Sequence, residues 1–348
     1  MAHARQQSSR DGHCVAVFGA SGHTGRFVVA ELRRRGFEPL AVARSHTRLA
    51  ESGFVVEGVP VKTASIDDAV SLDRAFEHTV AVVNCAGPFL DTAGAVGAAA
   101  VRAGVHYVDV TAEQPSAQAT FETLDAGARE AHVTVMPAMG FFGGLGDLLV
   151  TTAVGDWDHV DAIRIGIALD SWHPTAGTRI TGARNTAPRR AIIEGKLTTL
   201  PQPPREESWE FSDPFGHQRV TEISFSEVVL ITRHIRTQNL RTYLNHAPLR
   251  DLRDPATPEP TPADEAGRSA QTFLVEAQAR RGPATRRASA SGRDIYAFTA
   301  PLVGEAVQRI LAGNPRRSGA LAPGELFDAP DFLRALTPDT MTLEISEI

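Results

Sequence analysis

The sequence predicts an α/β protein: a doubly wound parallel sheet, followed by a second α+β domain built on a mainly antiparallel sheet. Three observations predict it. Short apolar runs alternate with helical stretches up to about residue 150. A glycine-rich turn joins the first such run to the first such stretch. Beyond that point the apolar runs alternate with polar residues at a period of two, the pattern of strands with one covered face.

In order, Val15 to Gly19 is a continuous apolar run of the kind buried on both faces of a parallel sheet, and Thr24 to Arg35 carries apolar residues at helical spacing. Further strands are expected at Pro39–Ala43, Val55–Val61, Val80–Cys85, His106–Val110 and Val133–Met136, with helices at Ile66–His78, Thr92–Ala103 and Ser116–Ala131. In the second half, Ala162–Leu169, Arg219–Ile231 and Thr272–Ala279 read as strands. Asp254 to Gly267, rich in proline and acidic residues, reads as a mobile surface loop. Ile295–Gly313 is helical by periodicity and closed by Gly313 and Asn314-Pro315, and Asp331–Leu336 forms a last short helix. The domain expectation is a disordered 1–12, a first domain over 13–150, a second over 151–294, and C-terminal helices over 295–348.

The glycine turn is the first functional signal. Gly19-Ala20-Ser21-Gly22-His23-Thr24-Gly25 follows a strand and opens a helix, the context that makes this a Rossmann dinucleotide fingerprint. The first glycine permits the tight turn, the second lets backbone approach a pyrophosphate, and the third lets helix pack on strand. Ser21, His23 and Thr24 add side-chain donors. The second strand runs into Arg44-Ser45 with no acidic residue at its end. An acidic group there pairs the ribose 2′-hydroxyl of NAD, whereas an arginine fork accommodates the 2′-phosphate of NADP. NADP is therefore the expected cofactor, with Ser45 as a hydroxyl donor and Arg48 in reserve.

The fourth strand ends in Asn84-Cys85-Ala86-Gly87-Pro88-Phe89, whose small residues leave room for the nicotinamide half. Tyr107, Asp109 and Thr111 share one face at the end of the fifth strand. Hydride transfer needs a proton donor or charge stabiliser, so Tyr107, Asp109 and Glu113 are catalytic candidates, with capping of the next helix as the competing role. Asp147, in a glycine-rich segment expected to cross between domains, is a further candidate or else a helix N-cap. Trp172-His173, Arg179, Arg184, Arg233-His234 and Tyr243 are weaker candidates for meeting an anionic or carbonyl substrate.

Composition excludes much else. Charged residues make up 22% and the net charge is −6, which argues against nucleic-acid binding through counterion release. Met1 to His13 holds no apolar signal-peptide core, no run is long enough to span a membrane, and Cys14 and Cys85 form no CxxC pair, so a cytoplasmic protein without a metal is expected. No tyrosine is followed by lysine four residues on, and GxSxG, HExxH and GxxxxGK[ST] are absent.

Taken together, VFGASGHTG, VARS, NCAGPF, HYVDVTAE (His106 to Glu113) and MPAMGFFGGLGDLL (Met136 to Leu149) resemble the saccharopine dehydrogenase-like oxidoreductases, in particular the branch with bacterial trans-acting enoyl reductases. Ser291 to Tyr296 and Ser318 to Leu336 resemble the ending of that branch. The resemblance implies an NADP-binding Rossmann domain, an α/β domain whose sheet helps enclose substrate, C-terminal helices returning to the first domain, and a homodimer through the second sheet. The chain departs from the pattern at Ala64-Ser65, where relatives often show aspartate, and at Gly140-Phe141-Phe142, where they often show a GFD-like sequence. The expected activity is NADPH-dependent reduction of a small-molecule or carrier-bound enoyl or imine substrate. The alternative is a non-catalytic protein that senses NADP(H).

Overall fold

The computed structural model describes residues 14–313 and 317–347; the segment 1–12 and the Asn314-Pro315 stop signal lie outside the described residues. Contacts divide the chain into two units. The first holds the described residues up to Thr111, Pro115–Gly140 and Thr299–Leu321; the second holds Ala112–Gln114, Phe141–Phe298 and the described residues from Ala322 onward. The changeover thus falls at Gly140, ten residues before the expected boundary at 150, and the block 295–348 is shared rather than returning whole to the first unit.

The first unit is a parallel sheet of β1 (Cys14–Phe18), β2 (Glu38–Ala43), β3 (Val61–Thr63), β4 (Ala81–Asn84), β5 (His106–Asp109), β6 (Thr134–Met136) and a late two-residue strand, β15 (Gly319–Ala320). Its order is β15-β6-β5-β4-β1-β2-β3. Val15, Ala16 and Val17 are fully buried, as a central strand covered on both faces requires. The chain reverses direction across the sheet between β1 and β4, the place where doubly wound sheets bind ligands. Crossovers are made by α1 (His23–Arg34), α2 (His46–Glu51), α3 (Ala69–Phe76), α4 (Phe89–Arg102) and α5 (Gln114–Glu130). In α1 the buried residues Gly25, Val28, Val29 and Leu32 recur at helical spacing, and Arg33 and Arg34 complement the dipole of the last turn.

The expected strand Val55–Val61 is mostly a turn. Gly53 and Gly58 adopt φ of +84° and +76°, and Val59 N–H donates to Phe54 O at 2.8 Å, so the chain folds back on itself. Phe54 and Val59 are buried, whereas Val56 is 93% exposed. Only Val61 to Thr63 reaches β2.

The second unit is a nine-stranded sheet: β7 (Val160–Leu169), β8 (Arg190–Ile193), β9 (Lys196–Thr199), β10 (Glu206–Glu210), β11 (His217–Glu222), β12 (Thr237–Asn245), β13 (Thr272–Arg281), β14 (Ala284–Arg293) and β16 (Met341–Glu347). The order is β10-β11-β12-β7-β13-β14-β16, with β8 on β12 and β9 on β8. All pairings are antiparallel except β12 with β7. Its helices are α6 (Gly146–Val154), entered through a π turn at Phe141–Leu145, then α7 (Ala176–Arg184), α8 (Glu227–Ile231), α9 (His246–Arg253), α11 (Pro323–Leu326) and α12 (Ala329–Arg334). α10 (Ile295–Ala312) starts in this unit and continues in the first.

The expected strand Arg219–Ile231 is two elements, since β11 stops at Glu222 and α8 begins at Glu227. The break is held by the Glu227 carboxylate, whose Oε1 accepts from Phe225 N–H at 2.9 Å. The expected C-terminal helices also include a strand: β16 pairs with β14 along Gly292 to Arg286. Asp254 to Gly267 has no regular element, and Arg179 Nη2 donates to Thr257 O at 2.7 Å within it.

Candidate functional site

Parallel pairing brings the carboxyl ends of the strands in the first unit into line. Phe18 stands opposite both Val42 and Asn84, Asn84 opposite Asp109, and Val108 opposite Met136. Gly19 leaves β1 at φ +83°, and a Cβ there would lie 2.8 Å from Ala86 N, so the two turns are in close approach. A Cβ on Gly25 would lie 2.3 Å from Gly19 O. The first and third glycines are therefore sterically required.

Gly22 precedes α1 with no side-chain cap, and the first turn begins with Arg26 N–H on Gly22 O. An uncapped helix start facing a glycine turn suits a pyrophosphate, because orphan N–H groups and the helix dipole both favour an anion. Ser21, His23 and Thr24 belong to this turn. Arg44 is exposed just past β2, with no ion pair among the described residues. Ser45 caps α2 by accepting from Arg48 N–H at 3.3 Å, which leaves its own proton to donate. These residues fit a dinucleotide.

The Cys85-Ala86-Gly87-Pro88-Phe89 turn is pinned by a buried network. Asn84 Oδ1 accepts from Ala86 N–H at 3.0 Å, while its Nδ2 donates to Thr92 Oγ1 and Tyr107 Oη, both at 3.2 Å. Thr92 Oγ1 donates to Ala86 O at 2.6 Å. Tyr107 Oη donates to Asp109 Oδ2 at 3.0 Å, and Asp109 Oδ1 accepts from Thr111 N–H and Ala138 N–H. Tyr107, Asp109 and Thr111 are fully buried. Burial, and then the adjacent Asp109, push the Tyr107 phenol well above its ordinary range. Its proton is committed to Asp109, so the expected proton donor is here a brace for the turn. Burial and the Asp109 charge likewise keep the Cys85 thiol protonated.

Burial raises the Asp109 carboxyl to about 6, against the pull of the Ala138 and Thr111 N–H groups and the Tyr107 hydroxyl. A carboxyl whose folded-state pKa is raised contributes stability that is complete below its unfolded pKa of about 4, and that contribution is lost as the pH rises through the folded value. The expected result is a loss of about 3 kcal/mol between roughly pH 4 and 6. Asp109→Asn keeps an acceptor for both N–H groups and should flatten this slope in denaturant unfolding. An unchanged slope would exclude Asp109 as its source.

In the second unit, Asp147 lies inside the first turn of α6 rather than at its N-cap, which is Leu145. It is fully buried; Oδ1 meets His234 Nε2 at 2.7 Å and Oδ2 accepts from Gly324 N–H at 2.7 Å. Both oxygens are thus occupied in joining α6 to the chain after α8 and to α11. Burial disfavours the charged His234 ring, but the Asp147 charge, its hydrogen bond and Glu325 outweigh it and raise the pKa. This contribution to stability is complete below the unfolded pKa of about 6.5 and is lost as the pH climbs through the raised value. Asp147→Asn is expected to destabilise by about 3 kcal/mol at pH 6 and by less at pH 9 in thermal or urea melts. A deficit independent of pH would show that the ion pair does not form.

The remaining candidates are dispersed. Glu113 is buried in the short stretch before Gln114, whose side chain exchanges two hydrogen bonds with the Arg190 backbone. Trp172 Nε1 donates to Tyr296 Oη at 2.8 Å, and Tyr243 lies beneath Arg164. His173 is half-buried, and Arg184 and Arg233 are exposed.

One cluster has no counterpart in the sequence reading. Glu227 is fully buried, with Oε1 held by Phe225 N–H and by Thr242 Oγ1 at 2.6 Å, while Oε2 meets no protein partner. Ser224 Oγ is also buried without one. Arg189 donates once, from Nη1 to Ser224 O at 2.6 Å, and stacks over Phe225 at 4.9 Å. Phe142 stacks on Phe225 at 4.2 Å and on Trp172 at 5.0 Å. These residues are scattered over a π turn, a loop and the start of α8, and no spacing rule joins them.

Residues 15–136 match the family described as the saccharopine dehydrogenase NADP binding domain. Over nearly its whole length the fold superposes on apo saccharopine dehydrogenase (L-Glu forming) from Saccharomyces cerevisiae, with a TM-score of 0.69 at 12% identity, covering 96% of this chain and 100% of that one. The likeness is in sequence over residues 15–136 and in fold over nearly the whole chain. Two relatives extend the likeness in sequence. A lipid droplet localized protein of Caenorhabditis elegans is 28% identical over 267 residues, 66% of this chain and 63% of the relative. A probable mitochondrial saccharopine dehydrogenase-like oxidoreductase of Arabidopsis thaliana is 29% identical over 142 residues, 36% of this chain and 31% of the relative. The chain thus spans less than two thirds of the length of either. Among its described residues no helix is long and apolar enough to cross a membrane, and no group of three acidic, histidine or cysteine side chains could hold a metal ion.

Proposed function

We propose that the protein is an NADP(H)-dependent reductase of a small-molecule or carrier-bound substrate bearing an activated C=C or C=N bond. The observation that carries this reading is the turn from Gly19 to Gly25, opening on an uncapped helix, with the exposed Arg44 at the end of the neighbouring strand. A bound nicotinamide supplies a hydride. The chain's part is to hold the pyrophosphate on the first turn of α1, to meet the 2′-phosphate with Arg44 and Ser45, and to fix the Ala86 turn through Asn84, Thr92, Tyr107 and Asp109. Enoyl and imine acceptors are favoured by the motif resemblance. A homodimer through the second sheet belongs to the same reading.

The test is titration with NADPH and NADH at one salt concentration, followed by NADPH oxidation with enoyl thioesters and cyclic imines. Tighter NADPH binding with oxidation by either class supports the reading. If neither dinucleotide binds, the glycine turn is only structural and the reading falls. Binding without oxidation by any acceptor points to the NADP(H)-sensing alternative, which is favoured by one observation: the Tyr107, Asp109 and Asp147 side chains are all committed to internal bonds.

A further inference from the structure

The outer rim of the first sheet ends on an open strand. β3 closes the strand order, so among the described residues no strand lies beyond it. Pro60 O accepts from Ala41 N–H at 2.9 Å and Ala64 N–H donates to Ala43 O at 3.2 Å, so both groups face β2. Val61 and Thr63 stand opposite Ala41 and Ala43, and the alternation of a parallel ladder turns their own N–H and C=O groups outward. Such an edge is a template for one more strand.

A groove of about 610 Å³ lies here, with His46 and Leu49 of α2, Val61, Lys62 and Thr63 of β3, and Arg74 of α3 in its walls. The step from β2 to β3 goes outward and the step from β3 to β4 comes back, so right-handed crossovers put α2 and α3 on opposite faces of the sheet. A groove that touches both helices and the strand between them follows the strand's free edge. Lys62 Nζ donates to Arg74 O at 2.9 Å, which places its ammonium on the α3 face, while His46 marks the α2 face. No acidic side chain lines the groove, and His46, Lys62 and Arg74 make no ion pair among the described residues. The acids nearby on α3 are committed elsewhere: Asp68 caps the helix through Ser71 N–H, and Asp73 pairs with Arg102.

We infer that this edge takes an acidic, extended peptide segment of a partner protein as an additional strand beside β3. The outward groups of Val61 and Thr63 supply main-chain hydrogen bonds. Alternate side chains of the added strand point to opposite faces, one set toward Lys62 and Arg74 and the other toward His46, so carboxylates meet a basic group on either face. A lysine on an edge discourages a neutral strand, which would bury the ammonium unpaired, whereas an acidic strand pairs it. The charge that guards the edge thereby selects its partner. Inorganic phosphate would engage the cations alone and leave the strand edge unpaired. The inference stands apart from the cofactor reading, since neither Arg44 nor Ser45 lines the groove.

The test titrates the full chain with fluorescent oligoglutamate and oligoglutamine of equal length, read by anisotropy at one salt concentration. Oligoglutamate is expected to bind and oligoglutamine not to. Lys62→Ala combined with Arg74→Ala should weaken oligoglutamate about tenfold or more, and Arg44→Ala should leave it unchanged. The deciding variant is Thr63→Pro, which removes one outward N–H and keeps every charge and every bond to β2, a substitution that edge strands tolerate. It should also weaken oligoglutamate about tenfold. An oligoglutamate methylated on alternate backbone nitrogens puts the same question to the wild type without any substitution, and should bind about tenfold more weakly. Wild-type affinity for this methylated peptide, or in a Thr63→Pro chain with an unchanged unfolding midpoint, would reduce the groove to a charged patch and overturn the inference. So would failure of oligoglutamate to bind, or a loss confined to Arg44→Ala.

Discussion

Gly25→Val is expected to abolish measurable NADPH binding and to lower stability by about 3 kcal/mol. The β-carbon would arrive 2.3 Å from Gly19 O and 2.9 Å from Ala20 Cα, both backbone atoms of the turn that α1 must pack against. Neither can swing aside as a side-chain tip would. α1 must therefore lift away from β1, and the first-turn amides leave the proposed pyrophosphate site. A control lies three residues earlier: a Cβ on Gly22 meets only Gly19 O, at 3.2 Å rather than 2.3 Å, and its φ of −75° suits any residue, so Gly22→Ala should destabilise far less than Gly25→Val. Urea melts with fluorescence titration give both numbers. NADPH binding by Gly25→Val at wild-type affinity would remove the crevice from consideration as the cofactor site.

Arg44→Ala is expected to weaken NADPH about 100-fold while leaving NADH unchanged. Loss of a charge-assisted bidentate contact is worth about 1.5–3 kcal/mol, and each 1.4 kcal/mol is tenfold in affinity. Arg44 is exposed and makes no ion pair among the described residues, so its removal breaks nothing inside the fold and unfolding should be unaffected. Raising the salt concentration should narrow the gap between the two dinucleotides in the wild type and not in the variant. Equal losses for NADPH and NADH would mean that Arg44 does not read the 2′-phosphate.

The glycine turn after β1 was legible because backbone geometry dictates its residues. A positive φ at Gly19 and a helix packed onto the Gly19 carbonyl admit only glycine, and such constraints write themselves into the sequence. The parallel strands were legible where both faces are buried, as in β1 and β4. Composition misled at Val55-Val56, because two β-branched residues promise a strand whereas the glycines on either side close a turn that exposes them. At Ile223-Ser224-Phe225-Ser226 the apolar–polar alternation continues past the end of β11, yet Ser224, Phe225 and Ser226 are all buried in a loop, so the pattern does not mark the two faces of a strand. The Glu227 cluster was illegible for a related reason. A buried carboxyl at the start of a five-residue helix looks like an ordinary first-turn acid, and only tertiary packing turns it inward.

The outermost strand beside β6 has a consequence for how the protein is made. β15 is two residues long, yet Gly319 and Leu321 donate to Val133 and Val135, Thr134 reaches Arg317 across 183 residues, and Asp125 holds Ala320 across 195. Among the described residues no nearer segment closes that side of the sheet. A ribosome adding about 5–20 residues per second therefore leaves the rim of β6 bare for roughly ten to forty seconds after it has been synthesised. Throughout that interval the nascent chain offers open N–H and C=O groups beside Val133 and Val135, and any neighbouring extended chain can pair with them. Crowded translation, or a pause within the second unit, lengthens the exposure. Yield of soluble protein should thus depend on chaperone supply more than final stability would suggest.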